Sequence, residues 1–183
     1  MAVFNCAHGG CMFKFGLVNF ELMKAATVQE LKEELSHLPF PQLLELCTRL
    51  ARFKKENKEL LTFLLFEAQD EQAYIENVKA DMDSSFSEIP RSKSLYLIKK
   101  SLRKILRNTN KHIRYTGSKE AEIQLLLWYC SKLRESGIPV RKSVALTNLY
   151  QMQLKKINKI LPALHEDLQY DYRKEAVRLA EPW

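Results

Sequence analysis

Between Ile89 and Lys119 the chain carries ten Lys and Arg residues and not one Asp or Glu. Within that stretch Leu95, Ile98, Leu102, Ile105, Leu106 and Ile113 recur at helical spacing. At about 100° per residue these apolar side chains fall within an arc of roughly 100°. Lys99, Lys100, Arg103, Lys104, Arg107, Lys111 and Arg114 fall within a second arc of roughly 140°. In a strand, alternation would scatter both sets over two faces. The spacing therefore predicts a helix with an apolar arc for a core and a cationic arc that some negative group must answer. Ser92 or Ser94 can cap its start, and Gly117 can stop it.

The rest of the chain keeps the helical period. Thr27-x-x-Glu30 has the pattern of a capping box and opens a helix through Val28, Leu31, Leu35 and Leu38, which Pro39 and Pro41 close. Leu43, Leu46, Cys47, Leu50 and Phe53 predict a second amphipathic helix. The polar run from Lys54 to Glu59 either breaks it, with Asn57 capping a new helix through Leu60, Leu61, Leu64, Leu65 and Ala68, or passes unbroken; a break makes residues 38–68 a helical hairpin. Residues 67–88 are acidic, with Ile75, Val78, Met82 and Phe86 keeping an apolar stripe. Ser118 caps the next helix, from Ile123 to Ser136, which is apolar on most sides and so central to its bundle. The last stripe runs from Leu146 through Leu149, Gln153, Ile157, Ile160, Leu164 and Leu168 to Tyr172 without a slip of phase at Pro162, which favours one long kinked helix over two.

These readings give an all-α domain over residues 27–181, with six to seven helices arranged as an irregular bundle or a short HEAT- or armadillo-like stack. Residues 1–26 do not match it. They lack a helical period and are expected to be a poorly ordered tail, or to precede a true start at Met23. No apolar run is long enough for a membrane span, and Met1 is followed by no signal-like pattern. Cys47 and Cys130 sit on apolar helical faces, so a reducing, cytoplasmic setting is expected.

The net charge of +7 is smaller than the charge of the 89–119 stretch, so the remainder of the chain is net negative. Basicity confined to one face points to a partner more strongly than basicity spread evenly. Three answers compete for it: solvent or the neighbouring acidic 67–88 helix, an acidic partner protein, and nucleic acid. Tyr115 is the one stacking group in view for nucleic acid, and no helix-turn-helix, zinc-finger or RNA-binding signature accompanies it. Catalytic patterns are absent: no His-Glu-x-x-His, no Gly-x-Ser-x-Gly and no Gly-rich phosphate loop. Cys6 to Cys11 encloses one His but lacks a second ligand pair. Asp167 and Asp171 share a helical face, whereas a helix spanning residues 165–172 would hold His165 about 160° from Asp167. Neither group assembles a metal site, and no cofactor is expected. The expectation is a non-enzymatic binding or scaffolding module that docks an acidic protein through Lys99, Lys100, Arg103, Lys104, Arg107, Lys111 and Arg114; the alternatives are a nucleic-acid-binding protein that contacts phosphates through the same helix and, third, an enzyme whose site is not visible in the sequence.

From Leu38 to Tyr172 the chain resembles conserved helical proteins of Bacteroides-type bacteria. The likeness lies in Leu44 to Ala51 (Leu-Glu-Leu-Cys-Thr-Arg-Leu-Ala), Lys54 to Leu61 (Lys-Lys-Glu-Asn-Lys-Glu-Leu-Leu), Arg103 to Asn108 (Arg-Lys-Ile-Leu-Arg-Asn) and His165 to Tyr172 (His-Glu-Asp-Leu-Gln-Tyr-Asp-Tyr). It covers about three quarters of the chain. It implies no activity and transfers no catalytic or binding residue. The 38–68 segment separately resembles a HEAT- or armadillo-type hairpin.

Overall fold

The computed structural model describes residues 25–89 and 94–181. The expectations for the first 24 residues, including a start at Met23 and the Cys6–Cys11 segment, lie outside the described residues, as do Ser92, Arg91, Lys93 and the last two positions. Among the described residues there are eight α-helices and no strand. The chain divides into two units, Met1–Cys47 and Thr48–Trp183.

In the first unit, α1 (Val28–Ser36) begins with the expected capping box: the Glu30 amide donates to Thr27 Oγ1, and Glu30 Oε2 accepts from the Thr27 amide at 2.7 Å. Helix α2 (Phe40–Phe53) starts here and runs on into the second unit. Neither α1 nor α2 buries a single residue.

The second unit is an all-α bundle. It continues with α3 (Lys55–Thr62), α4 (Glu71–Ser87), α5 (Leu95–Thr116), α6 (Lys119–Glu135), α7 (Val144–Ile160) and α8 (Glu166–Ala180). Helix α6 is its axis, in contact with α4, α5, α7 and α8. Ile123, Leu125, Leu126, Leu127, Tyr129, Cys130 and Leu133 are all buried on it, as its apolar circumference requires. The bundle gives two of its buried phenols backbone acceptors: Tyr129 donates to the Leu102 carbonyl at 3.2 Å and Tyr150 to the Leu179 carbonyl at 2.7 Å. Both phenols replace water with a backbone acceptor.

Three local expectations change. The break after α2 falls at Lys54, whose φ −140° and ψ 143° take the chain out of the helix, and not at Asn57. Asn57 caps nothing; its amide reaches back to the Leu50 carbonyl at 2.9 Å. After Thr62 the chain forms a π-helical turn, Phe63–Glu67, closed by the bond from the Ala68 amide to the Phe63 carbonyl. The wider turn shifts the helical phase. Phe63 is buried against Tyr74, while Leu64 and Leu65, expected to pack, are exposed. Finally, residues 143–180 are two helices. Pro162 sits in a 3-10 turn, Leu161–Ala163, and Leu164 is extended. Proline cannot donate the amide that would continue α7, and the Tyr150–Leu179 bond shows that α8 returns antiparallel to it. The unbroken stripe misled because both helices face the same core. A break in the 54–59 run was one of the two readings; the break at Pro162 raises the helix count above the six or seven expected.

Candidate cationic interface

Helix α5 is built as its two arcs require. Ile98, Leu102, Ile105 and Ile113 are buried, with Leu95 and Leu106 packed against the same core. Ser94 occupies the N-cap position without a side-chain bond, and Gly117 ends the helix at φ 63° with its amide on the Ile113 carbonyl. That left-handed position suits glycine, which has no Cβ to clash.

On the opposite arc Lys100, Arg103, Lys104, Arg107 and Arg114 are exposed. Lys99 is half-buried, with its ammonium 5.7 Å from the ring centre of the exposed Tyr96. Among the described residues none of these six lies within ion-pair distance of a carboxylate. Lys111 differs. Its Nζ donates to Glu59 Oε2 at 2.6 Å, and the pair is largely withdrawn from solvent. Tyr115 adds bonds to the same carboxylate at 3.1 Å and to the Glu56 carbonyl at 3.2 Å. Donation from Lys111 and Tyr115 holds the Glu59 carboxyl below its ordinary value; burial pushes the Tyr115 phenol well up. The structure thus separates Lys111 from the other six candidates: its charge has an internal answer, and among the described residues theirs have none.

The acidic helix is not that answer. Helix α4 packs against both α5 and α6, yet among the described residues none of its carboxylates reaches ion-pair distance of an α5 cation: Asp81 lines the groove beside Lys111 and His112, while Glu76 and Asp83 turn elsewhere. Asp83 accepts from Trp128 Nε1 at 2.9 Å and pairs with Lys132 at 3.3 Å, and Glu76 pairs with Lys79 at 2.8 Å. Lys132 and Lys79 also approach the Trp128 ring at 4.6 and 5.5 Å. The carboxylate that reaches α5 comes from α3, which nothing in its polar run distinguished beforehand.

The Glu59–Lys111 pair stands between two open grooves. One, of about 460 Å³, has cationic walls from Lys104, Arg107, Lys111 and Arg114, an apolar floor from Ile89 and Ile105, and Glu56 and Glu88 among its lining residues. The other, of about 580 Å³, holds Tyr74, His112, Asp81 and Glu59. There Tyr74 Oη lies 2.7 Å from His112 Nδ1. Burial raises the Tyr74 phenol to about 12, so the phenol keeps its proton. Burial, helped by Lys111, lowers the His112 imidazole and so disfavours its charged form; which of the two groups donates follows the His112 tautomer. Both side chains turn inward, and so does Tyr115, which is only 9% exposed. The stacking role open to Tyr115 in the sequence is therefore closed.

The His165–Asp167 geometry also differs from expectation. His165 is the N-cap of α8, off the helix, which brings its Nδ1 to 3.4 Å from Asp167 Oδ2. Both are well exposed. Among the described residues no three His, Cys, Asp or Glu side chains gather as metal ligands would, and no helix is long and apolar enough to cross a membrane. No family model, curated protein or solved structure matches the chain.

Proposed function

We propose that the chain is a binding or scaffolding module whose α5 face docks an acidic protein. The observation that carries this reading is the set of six cations on one face, Lys99, Lys100, Arg103, Lys104, Arg107 and Arg114, without a carboxylate partner among the described residues. From Lys99 to Arg114 the face extends about 22 Å at 1.5 Å per residue, enough for several turns of an acidic helix laid alongside. Opposed charges of this kind steer association and fix register.

Two features favour a protein over nucleic acid. The groove beside the face combines cations with an apolar floor and two carboxylates, Glu56 and Glu88. Glu56 and Glu88 repel phosphates and partner carboxylates alike; the apolar floor is what favours a peptide, because it accepts the aliphatic side chains that flank acidic residues in an amphipathic peptide. The aromatic groups that would stack on bases are also turned inward, leaving Tyr96 as the exposed ring on α5.

The test is fluorescence anisotropy with two probes, a Glu-rich amphipathic peptide and a mixed-sequence oligonucleotide. The peptide should bind at about 50 mM salt and weaken at least tenfold at about 200 mM. Tighter binding of the oligonucleotide would transfer the face to nucleic acid. Failure of both probes at low salt would leave a merely solvated surface.

A further inference from the structure

Among the described residues Lys111 is the one cation of the α5 row that meets a carboxylate. It stands one turn after Arg107 and one turn before Arg114. The carboxylate, Glu59, projects from α3, an eight-residue helix that buries none of its side chains. Glu56, one turn earlier on α3, lines the groove walled by Lys104, Arg107, Lys111 and Arg114. To the α5 row, α3 is a short acidic helix, the same kind of group that a docking partner would present.

The Glu59–Lys111 bond can open without leaving either Glu59 or Tyr115 unanswered. Glu59 Oε1 already lies 3.6 Å from Lys55 Nζ on its own helix, and the Lys55 side chain is 89% exposed. Tyr115, the second donor to Glu59, also donates to the Glu56 carbonyl at 3.2 Å. A turn of the Glu59 side chain toward Lys55 keeps the carboxylate paired and leaves Tyr115 hydrogen-bonded. Lys111 alone loses its acceptor. Because Lys111 lines both grooves beside the pair, a carboxylate from outside can reach it. Breaking a partly buried ion pair is costly chiefly when it strands one charge, and an incoming carboxylate removes that cost.

We infer that Glu59 is an internal competitor for the α5 face: it occupies Lys111 until an acidic partner helix supplies a replacement carboxylate and completes the row Arg107, Lys111, Arg114. This inference rests on the docking function proposed for α5 and adds regulation to it. While the pair is closed Lys111 is withheld, and the apparent affinity for a partner falls with the fraction of molecules in which it is free. Stability and affinity then move in opposite directions: loss of the Glu59–Lys111 bond weakens the fold and strengthens docking.

The experiment measures anisotropy of the Glu-rich amphipathic peptide on the full chain at about 50 mM salt. The variants are Glu59→Gln, Glu59→Asp and Glu56→Gln. Glu56 lines the same groove and has no ion-pair partner among the described residues, so Glu56→Gln reports the effect of removing a nearby negative charge. Glu59→Asp keeps the charge but shortens the reach to Lys111. Glu59→Gln should bind about fivefold tighter than Glu56→Gln, and Glu59→Asp should bind tighter than the unmodified chain. With Lys111→Gln added, the advantage of Glu59→Gln over Glu56→Gln should vanish. Far-ultraviolet circular dichroism should be unchanged throughout, since α3 contributes no buried side chain. Equal affinities for Glu59→Gln and Glu56→Gln, with the unmodified chain still binding, would overturn the competition and leave docking on α5 intact. Absence of binding by every chain would overturn both.

Discussion

Lys111 and Arg107 are one turn apart on the same helix and have opposite circumstances. Arg107 points into solvent, while Lys111 is fixed by Glu59 and backed by Tyr115. A partly buried pair with added hydrogen bonds contributes more than an exposed one, about 1 kcal/mol. The sign of its pH dependence follows from Glu59. Its carboxyl is held below the ordinary 4.5, so the stabilisation is full above that value and disappears as pH falls through the lower folded one. Glu59→Gln should therefore cost about 1 kcal/mol near pH 7 and less near pH 3, read by urea unfolding at each pH. An equal cost at both would mean that packing, not charge, is at stake. Gln153 makes the opposite case. It is buried on α7, its amide nitrogen bonds the Leu149 carbonyl at 3.0 Å, and among the described residues its Oε1 has no partner. An unanswered buried acceptor is destabilising, so Gln153→Met should raise stability by about 1 kcal/mol in thermal unfolding.

At the scale of the element, ends matter as much as faces. Gly117 closes α5 at φ 63° with nothing within 4 Å of where a Cβ would stand. Its substitution by Ala tests backbone strain without a clash, and should cost about 1 kcal/mol in chemical denaturation. A neutral result would mean that the left-handed turn relaxes freely. Gly117 was legible in the sequence, as were the Thr27–Glu30 box and the Ser118 cap, because each acts through residues within one turn. The apolar arcs of α4, α5 and α6 were legible for a related reason: periodicity reports burial directly when a helix is continuous. The break at Lys54, the π-helical turn at Phe63 and the extended Leu164 were not. Each depends on which face of the following segment the core accepts. A stripe that keeps its phase across Pro162 looks the same for one helix as for two that fold back on each other.

At the scale of the molecule, the sequence indicated a cationic face and left open whether the 67–88 segment answers it. The 67–88 segment was the natural candidate because it adjoins α5. In the bundle Asp83 serves Trp128 and Lys132 on α6, while Glu59, 52 residues before Lys111, reaches α5. Pairing of that range is set by packing, which no local pattern reports. The outcome leaves Arg103 and Arg107 as exposed charges near the middle of the face, and Lys155 and Lys156 on α7 as an exposed cationic pair for comparison. The most direct measurement is the affinity of the acidic amphipathic peptide for Arg103→Glu/Arg107→Glu and for Lys155→Glu/Lys156→Glu, two reversals of identical net charge. Docking on α5 predicts a loss of at least tenfold for the first and a much smaller loss for the second. Equal losses would reduce the attraction to net charge alone and contradict a dedicated α5 interface.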